Sequence, residues 1–269
     1  MKQANLRVRA AAGRVAADIT PASAGWRHVG FRALRLADGE AEDWLQAERE
    51  CCVVVLAGVV DIIAGEQRWP GVGGRADVFD GQAPWAAYIP AGCALRIVAR
   101  GAAEVALCSA PGRPLIRPPR LIRPQDMAQS VRGQGSNTRY VTDILPQQAE
   151  ADGLLVVEVR TPSGHSSSYP PHKHDRDALP AESQLEETYY HRVSPAQGFV
   201  FQRVYTDERD LDQSHAVEDG DVVLVPRGYH PVCVPHGYES YYLNVMAGPR
   251  REWRFHNDPA HEWMLSAVS

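Results

Sequence analysis

Gly220-Asp221-Val222-Val223-Leu224-Val225-Pro226-Arg227-Gly228-Tyr229-His230 holds a strand and the turn that leaves it. The aliphatic run from Val222 to Val225 favours extended backbone, Pro226 cannot continue a ladder, and Gly228 permits a tight turn. A similar order occurs earlier as Tyr88-Ile89-Pro90-Ala91-Gly92, and the two prolines are 226 − 90 = 136 residues apart. Held without gaps, the same offset aligns Leu107 with Leu243 and Gly112 with Gly248. Matches at strand and turn positions on one offset mark an internal duplication.

Outward from that segment, short β-rich runs alternate with Gly and Pro: Val53 to Leu56, Val59 to Ile63, Ala87 to Ile89, Leu95 to Val98, Leu154 to Val159, Phe199 to Tyr205 and Tyr241 to Met246. Long helical periodicity is scarce, so the class is an all-β sandwich or barrel. The Pro- and Arg-rich stretch from Gly112 to Pro124 and the Gly-rich stretch from Arg132 to Asn137 read as an interdomain connection rather than a packed element. Two β-domains are expected, over residues 1–124 and 125–269.

Nine of the ten histidines follow residue 160, and two stand in His172-Lys173-His174. Residues two apart on a strand share a face, so this triplet aims two imidazoles at one point while Lys173 points away. A carboxylate from Glu186-Glu187 and the imidazole of His230 would complete a three-His, one-carboxylate shell with positions open for water or substrate. Zinc or manganese suits that mixed N/O set, with nickel and iron as alternatives, and no organic cofactor is implied. The 136-residue offset sets Leu36, Asp38, Cys51 and Ala94 opposite His172, His174, Glu187 and His230, so the first copy lacks the ligands. His28, His165, His215, His236, His256 and His261 share no such spacing and are read as packed or surface residues.

A net charge of −5 with mixed signs gives no broad basic field, which disfavours nucleic acid and anionic membranes as partners. Residues 1–12 lack the apolar core of a signal peptide, and no run of about eighteen apolar residues is present to span a bilayer. A cytoplasmic location and a small-molecule ligand follow as expectations. The five cysteines are odd in number, lack Cys-x-x-Cys spacing and mostly lie in apolar runs, which suits reduced, buried thiols.

The strand-borne His-x-His, a downstream Glu, Gly198, and the Gly220 to Gly228 block before His230 resemble the two motifs of the cupin superfamily; duplicated, they resemble a bicupin of two antiparallel jelly-roll barrels. Residues 175–185 are an insertion relative to the compact motif, and only Tyr229 separates Gly228 from His230. A closer resemblance runs through Tyr169-Pro170-Pro171-His172-Lys173-His174-Asp175, Gly198 to Asp210, Val217 to His230, and Tyr242 to Trp253. These segments are similar to the 5-deoxy-glucuronate isomerase family of bacterial myo-inositol catabolism, with the 4-deoxy-5-keto-uronate isomerases of pectin breakdown as a related family. Gly164-His165-Ser166-Ser167-Ser168 departs from the pattern expected before the metal motif.

That resemblance implies a metal-dependent aldose to ketose isomerisation of 5-deoxy-D-glucuronate to 5-dehydro-2-deoxy-D-gluconate through an enediolate. It favours Glu187 as the ligand, with Glu186 on the opposite face. Acid/base candidates are Tyr189 and His191 on Glu187's face, and Lys173 if its strand bends. Tyr205 and Tyr242 reach the same space from neighbouring strands and are assigned to the substrate. Arg203, a cation in the middle of an apolar strand, is the candidate clamp for the uronate carboxylate, set against a plain salt bridge at the barrel rim. A homo-oligomer is plausible for a barrel protein. Competing readings are a cupin dioxygenase using the same shell with iron, and a noncatalytic sugar-acid-binding bicupin.

Overall fold

Strand Glu186–Ser194 reads Glu-Glu-Thr-Tyr-Tyr-His-Arg-Val-Ser, with aromatic and β-branched residues on both faces, and it is buried on both. Such a strand belongs in the middle of a sheet. It lies between Val222–Val225 and Glu239–Ala247, antiparallel to each. The computed structural model describes residues 5–265, and almost all its regular structure is strand. Among the described residues the only α-helix is the four-residue Pro21–Ala24, beside three 3-10 turns. No helix is long and apolar enough to cross a membrane.

The chain forms two compact units, each an antiparallel jelly-roll barrel, so the fold is a duplicated cupin. The first unit comprises Ala11–Ala128 and Thr142–Val157. The second comprises the N-terminal segment through Ala10, Gln129–Val141, and the chain from Glu158 onward. Where the sequence reading draws one boundary after residue 124, the chain passes between units after Ala10, Ala128, Val141 and Val157.

Two buried carboxylates each hold one of the exchanged segments to its own unit. Glu50, fully buried in the first unit, accepts the Tyr88 hydroxyl at 2.6 Å and the backbone N–H groups of Asp152, Gly153 and Leu154 at 2.7, 2.6 and 2.7 Å. Asp221, 2 % exposed in the second unit, accepts Arg7 Nε at 2.6 Å and the N–H groups of Ala10 and Glu218, both at 2.9 Å. It thereby holds Arg7–Val8 as an edge strand on Val222–Val225. A buried charge is tolerated where every lone pair is met in this way.

The first barrel is filled by one apolar cluster that includes Leu34, Cys51, Val53, Val55, Ile62, Ile89 and Leu107. The pairings Cys51↔Ile89 and Val53↔Ala87 recur as Glu187↔Val225 and Tyr189↔Val223, each on the 136-residue offset, so Cys51 occupies the place of Glu187. The third strand slips by one: Val53 faces Leu107, but Tyr189 faces Asn244. The ungapped match of Leu107 with Leu243 is therefore displaced by one residue, and a polar residue stands where the first barrel has a leucine.

Two sequence expectations change. Val53 to Leu56 and Val59 to Ile63 belong to one strand, Arg49–Ala64, whose register shifts between Val55 and Val59. Gly58 sits at that irregularity with φ +80°, where a Cβ would lie 2.4 Å from the Ala102 carbonyl. The stretch from Gly112 to Pro124 is also not wholly a linker, because Arg120–Ile122 pairs with Trp85–Ile89 as an edge strand. Pro and Arg suit an edge, where few N–H groups are needed for pairing.

Replacing Asp221 with Ala leaves Arg7, 11 % exposed at its side chain, without its buried partner. We expect a loss of about 3–5 kcal/mol, read as an earlier transition in chemical denaturation. An unchanged midpoint would show that the edge strand is held by its backbone ladder alone.

Candidate metal centre

His174, Glu187 and His230 meet in the second barrel with their ligating atoms within 4.8 Å of one another, and all three are buried. Glu187 is delivered by the central strand, paired with Val225 and Met246. His230 comes from the turn after Val222–Val225. There Gly228 takes φ +90°, and a Cβ on it would lie 2.4 Å from the Tyr205 carbonyl, so the turn requires glycine. His174 follows the two-residue strand His172–Lys173, which pairs with His256–Asn257.

Glu187 Oε2 lies 3.0 Å from His174 Nε2 and 3.2 Å from His230 Nε2. The far ring nitrogens are engaged with backbone: His174 Nδ1 donates to Leu185 O at 3.2 Å, and His230 Nδ1 to Gly228 O at 2.8 Å. A carbonyl can only accept, so each Nδ1 carries hydrogen and each Nε2 turns to the cluster. His230 Nε2 is buried and makes no hydrogen bond. Burial, with the neighbouring imidazoles, pushes His230 down to about 3, which keeps it neutral. Burial opposes charge on His174 as well, but its hydrogen bond to Glu187 and that carboxylate's charge outweigh it and raise the pKa. Two inward Nε2 atoms, one orphaned, around a buried carboxylate fit a divalent ion.

His172 stands at the edge of this triplet. Its ring is 4.9 Å from His230, 6.4 Å from His174 and 4.8 Å from Phe255. Burial, then the charges of His174 and Arg139, push it down to about 3. Its ligating atoms do not converge with the other three, so of the four residues expected as ligands the structure gathers three and sets the fourth beside them.

Tyr189, His191 and Tyr242 share the barrel interior with the triplet. The Tyr189 ring is 5.6 Å from His230, 4.8 Å from Tyr242 and 5.9 Å from His191, on which it stacks. Its hydroxyl is 2.9 Å from Ser168 Oγ, which also lies 3.4 Å from the Tyr242 hydroxyl. Ser168 was not singled out from the sequence, although the departure from the family pattern at residues 164–168 was the available signal.

Three other expectations are corrected. Lys173 is 2 % exposed, but its ammonium is 2.9 Å from Asp175, 3.4 Å from Asp207 and 3.5 Å from Glu182, so it neutralises an acidic cluster on the opposite side of its strand. Arg203 makes a two-pronged bridge to Asp212 at 2.8 and 2.6 Å on an exposed face. Strand alternation is the reason, since the fully buried neighbour Gln202 takes the interior and bonds His191. Tyr205 shares Arg203's side of the strand, lies between Arg203 and Arg209, and donates to Asp258 at 2.8 Å.

Divalent metal uptake should reach one ion per chain by elemental analysis. His174→Ala and Glu187→Gln should each weaken it by more than the ~10–100-fold typical of losing a supporting contact, whereas Glu186→Gln should leave it unchanged. Loss of uptake in the Glu186 variant instead would reverse the choice of carboxylate.

A curated 5-deoxy-glucuronate isomerase from Geobacillus kaustophilus is 51% identical over 249 residues, covering 93% of this chain and 90% of that protein. One from Listeria monocytogenes is 51% identical over 250 residues, covering 92% and 91%. The crystal structure of an IolB-like protein from Salmonella typhimurium superposes with a TM-score of 0.96 at 45% identity, covering 97% of this chain and all of that one. The oxalate decarboxylase of Lactobacillus farciminis, at 12% identity and a TM-score of 0.68, shares the fold. The model of the KduI/IolB family matches residues 4–264, through both barrels and every residue of the cluster, and the chain belongs to that family.

Proposed function

We propose that the protein is a metal-dependent aldose–ketose isomerase that converts 5-deoxy-D-glucuronate to 5-dehydro-2-deoxy-D-gluconate in myo-inositol breakdown. The observation that carries this reading is the convergence of His174, Glu187 and His230 beside the Tyr189 and Tyr242 hydroxyls inside one barrel. The shared name of the half-identical relatives supplies the substrate.

The reaction removes hydrogen from C2 and from its hydroxyl, and returns one hydrogen to C1 and one to the C1 oxygen. A divalent ion held by His174, Glu187 and His230, with His172 at its edge, would act as a Lewis acid toward the substrate carbonyl and adjacent hydroxyl. The chain's own groups handle the protons. Burial, and then the charge of Glu187, raise the pKa of Tyr189 far above its ordinary value, so its phenol keeps its proton and serves as the donor to oxygen. His191 is fully buried and pushed down to about 4 by that burial, hence neutral. Its Nε2 donates to Gln202 Oε1 at 2.9 Å, which leaves the unpartnered Nδ1 with a lone pair to act as the base. Val223 and Val225 flank Tyr189 and Glu187 on the same sheet face and help exclude water from an enediolate.

The test is an NMR assay of metal-loaded protein with 5-deoxy-D-glucuronate in D2O under anaerobic conditions. Conversion to the 2-deoxy-5-keto acid with deuterium at the new CH2OH carbon, lost in His174→Ala, is expected. No conversion by metal-replete protein would overturn the assignment, and a requirement for oxygen would favour dioxygenase chemistry. In the same assay Tyr189→Phe should lower kcat by about 10²–10⁴-fold while metal content stays constant.

A further inference from the structure

An isomerase for a uronate must hold a carboxylate at the end of the substrate remote from the reacting carbons, and Arg203, committed to Asp212, does not supply the cation. Arg139 has the free valences for it. This residue opens the strand Arg139–Leu145 directly after the 3-10 turn Gly135–Asn137. Its side chain is half-buried, and its Nη1 donates to the Asn137 carbonyl at 3.1 Å. Among the described residues no carboxylate pairs with it.

The placement of the turn brings this cation to the cluster. Asn137 Nδ2 donates to the Tyr169 carbonyl at 2.9 Å, which ties the turn to the segment that leads into His172. Gly133, at φ +80°, leaves room for the guanidinium: a Cβ there would lie 2.7 Å from Arg139 Nη1. The same turn lies against the strand Ser166–Ser167, next to Ser168, whose Oγ meets the Tyr189 and Tyr242 hydroxyls. The next cation along, Arg132, sits over Trp253, which contacts Phe255 and through it His172. Asn137 Oδ1 is buried without a hydrogen-bond partner, an acceptor beside the cation that suits a sugar hydroxyl.

We propose that Arg139 is the specificity-determining residue of this site and takes the carboxylate of the sugar acid. The inference rests on the isomerase reading for the identity of the substrate, but only on the position of an unpaired guanidinium for the class of ligand. A planar fork with free donors in a partly desolvated setting selects a carboxylate over a hydroxymethyl group.

Two measurements separate this inference from the reaction it serves. The first compares kcat/KM for 5-deoxy-D-glucuronate with that for neutral 5-deoxy-D-glucose, in metal-loaded wild type, Arg139→Ala and Arg139→Lys. The second is calorimetric binding of D-glucuronate against D-glucose to the same proteins, which needs no turnover. Arg139→Ala should lower the preference for the acid by about 10²-fold in either measurement, with the neutral sugar unaffected, and Arg139→Lys should recover part of it. A variant that treats the acid as wild type does, or that loses acid and neutral sugar alike, overturns the assignment. If wild type binds D-glucuronate selectively through Arg139 but converts nothing, the reaction falls and the assignment stands.

Discussion

Glu187 is a carboxylate 2 % exposed in the middle of a β-barrel, and most of what distinguishes the second barrel follows from its presence there. Moving such a charge out of water is tolerated only where opposite charge or strong donors surround it. His174 meets part of this requirement through its hydrogen bond to Glu187, and it and His230 come from two other segments, each aimed by a hydrogen bond from its far nitrogen to a backbone carbonyl. Holding three segments in register leaves little freedom in the turn at Gly228, which is why a residue without Cβ is needed there. The first barrel shows the alternative solution: Cys51 occupies the corresponding place and packs into an uninterrupted apolar cluster.

Charge is sorted by strand side in the second barrel. Lys173 lies between His172 and the cluster residue His174 in sequence, yet its ammonium belongs to a separate group with Asp175, Glu182 and Asp207. That separation keeps an ammonium away from the point where Glu187 collects positive charge. Arg203 and Tyr205 lie on the other side for the same reason, since their neighbours Gln202 and Val204 take the interior positions and Gln202 orients His191. Arg139 opens a strand of the same sheet directly after a 3-10 turn, and its Nη1 is held by the Asn137 carbonyl of that turn rather than by a carboxylate.

Strand alternation explains why Glu187 rather than Glu186 faces the cluster, whereas the His172-Lys173-His174 pattern supplies one member of the triplet and one ring at its edge, because the strand ends at Lys173. The duplication was legible at Cys51 and Glu187, where pairing repeats on a constant offset, and misleading at Leu107, where a one-residue slip puts Asn244 in the equivalent position. A register slip changes no local propensity, so no single-strand pattern reports it. Arg203 looked functional because a charge in an apolar strand needs a partner, and the partner proved to be Asp212 on the adjacent hairpin strand. Ser168 comes from an irregular segment and Arg139 from the first position after a turn, where placement depends on tertiary contacts that periodicity does not encode. The strand at Arg120–Ile122 was hidden by prolines that an edge accepts readily.

The edge strand Arg7–Val8 is synthesised long before its partner Val222–Val225. Arg7 and Asp221 are 214 residues apart, an interval of roughly 10–40 s at common elongation rates. The first barrel can close during that wait, while the segment before it stays unpaired with its donors and acceptors exposed. The edge of the second barrel is therefore completed only after every segment of the first has been made. The residues ahead of the first barrel are, in folding terms, part of the second.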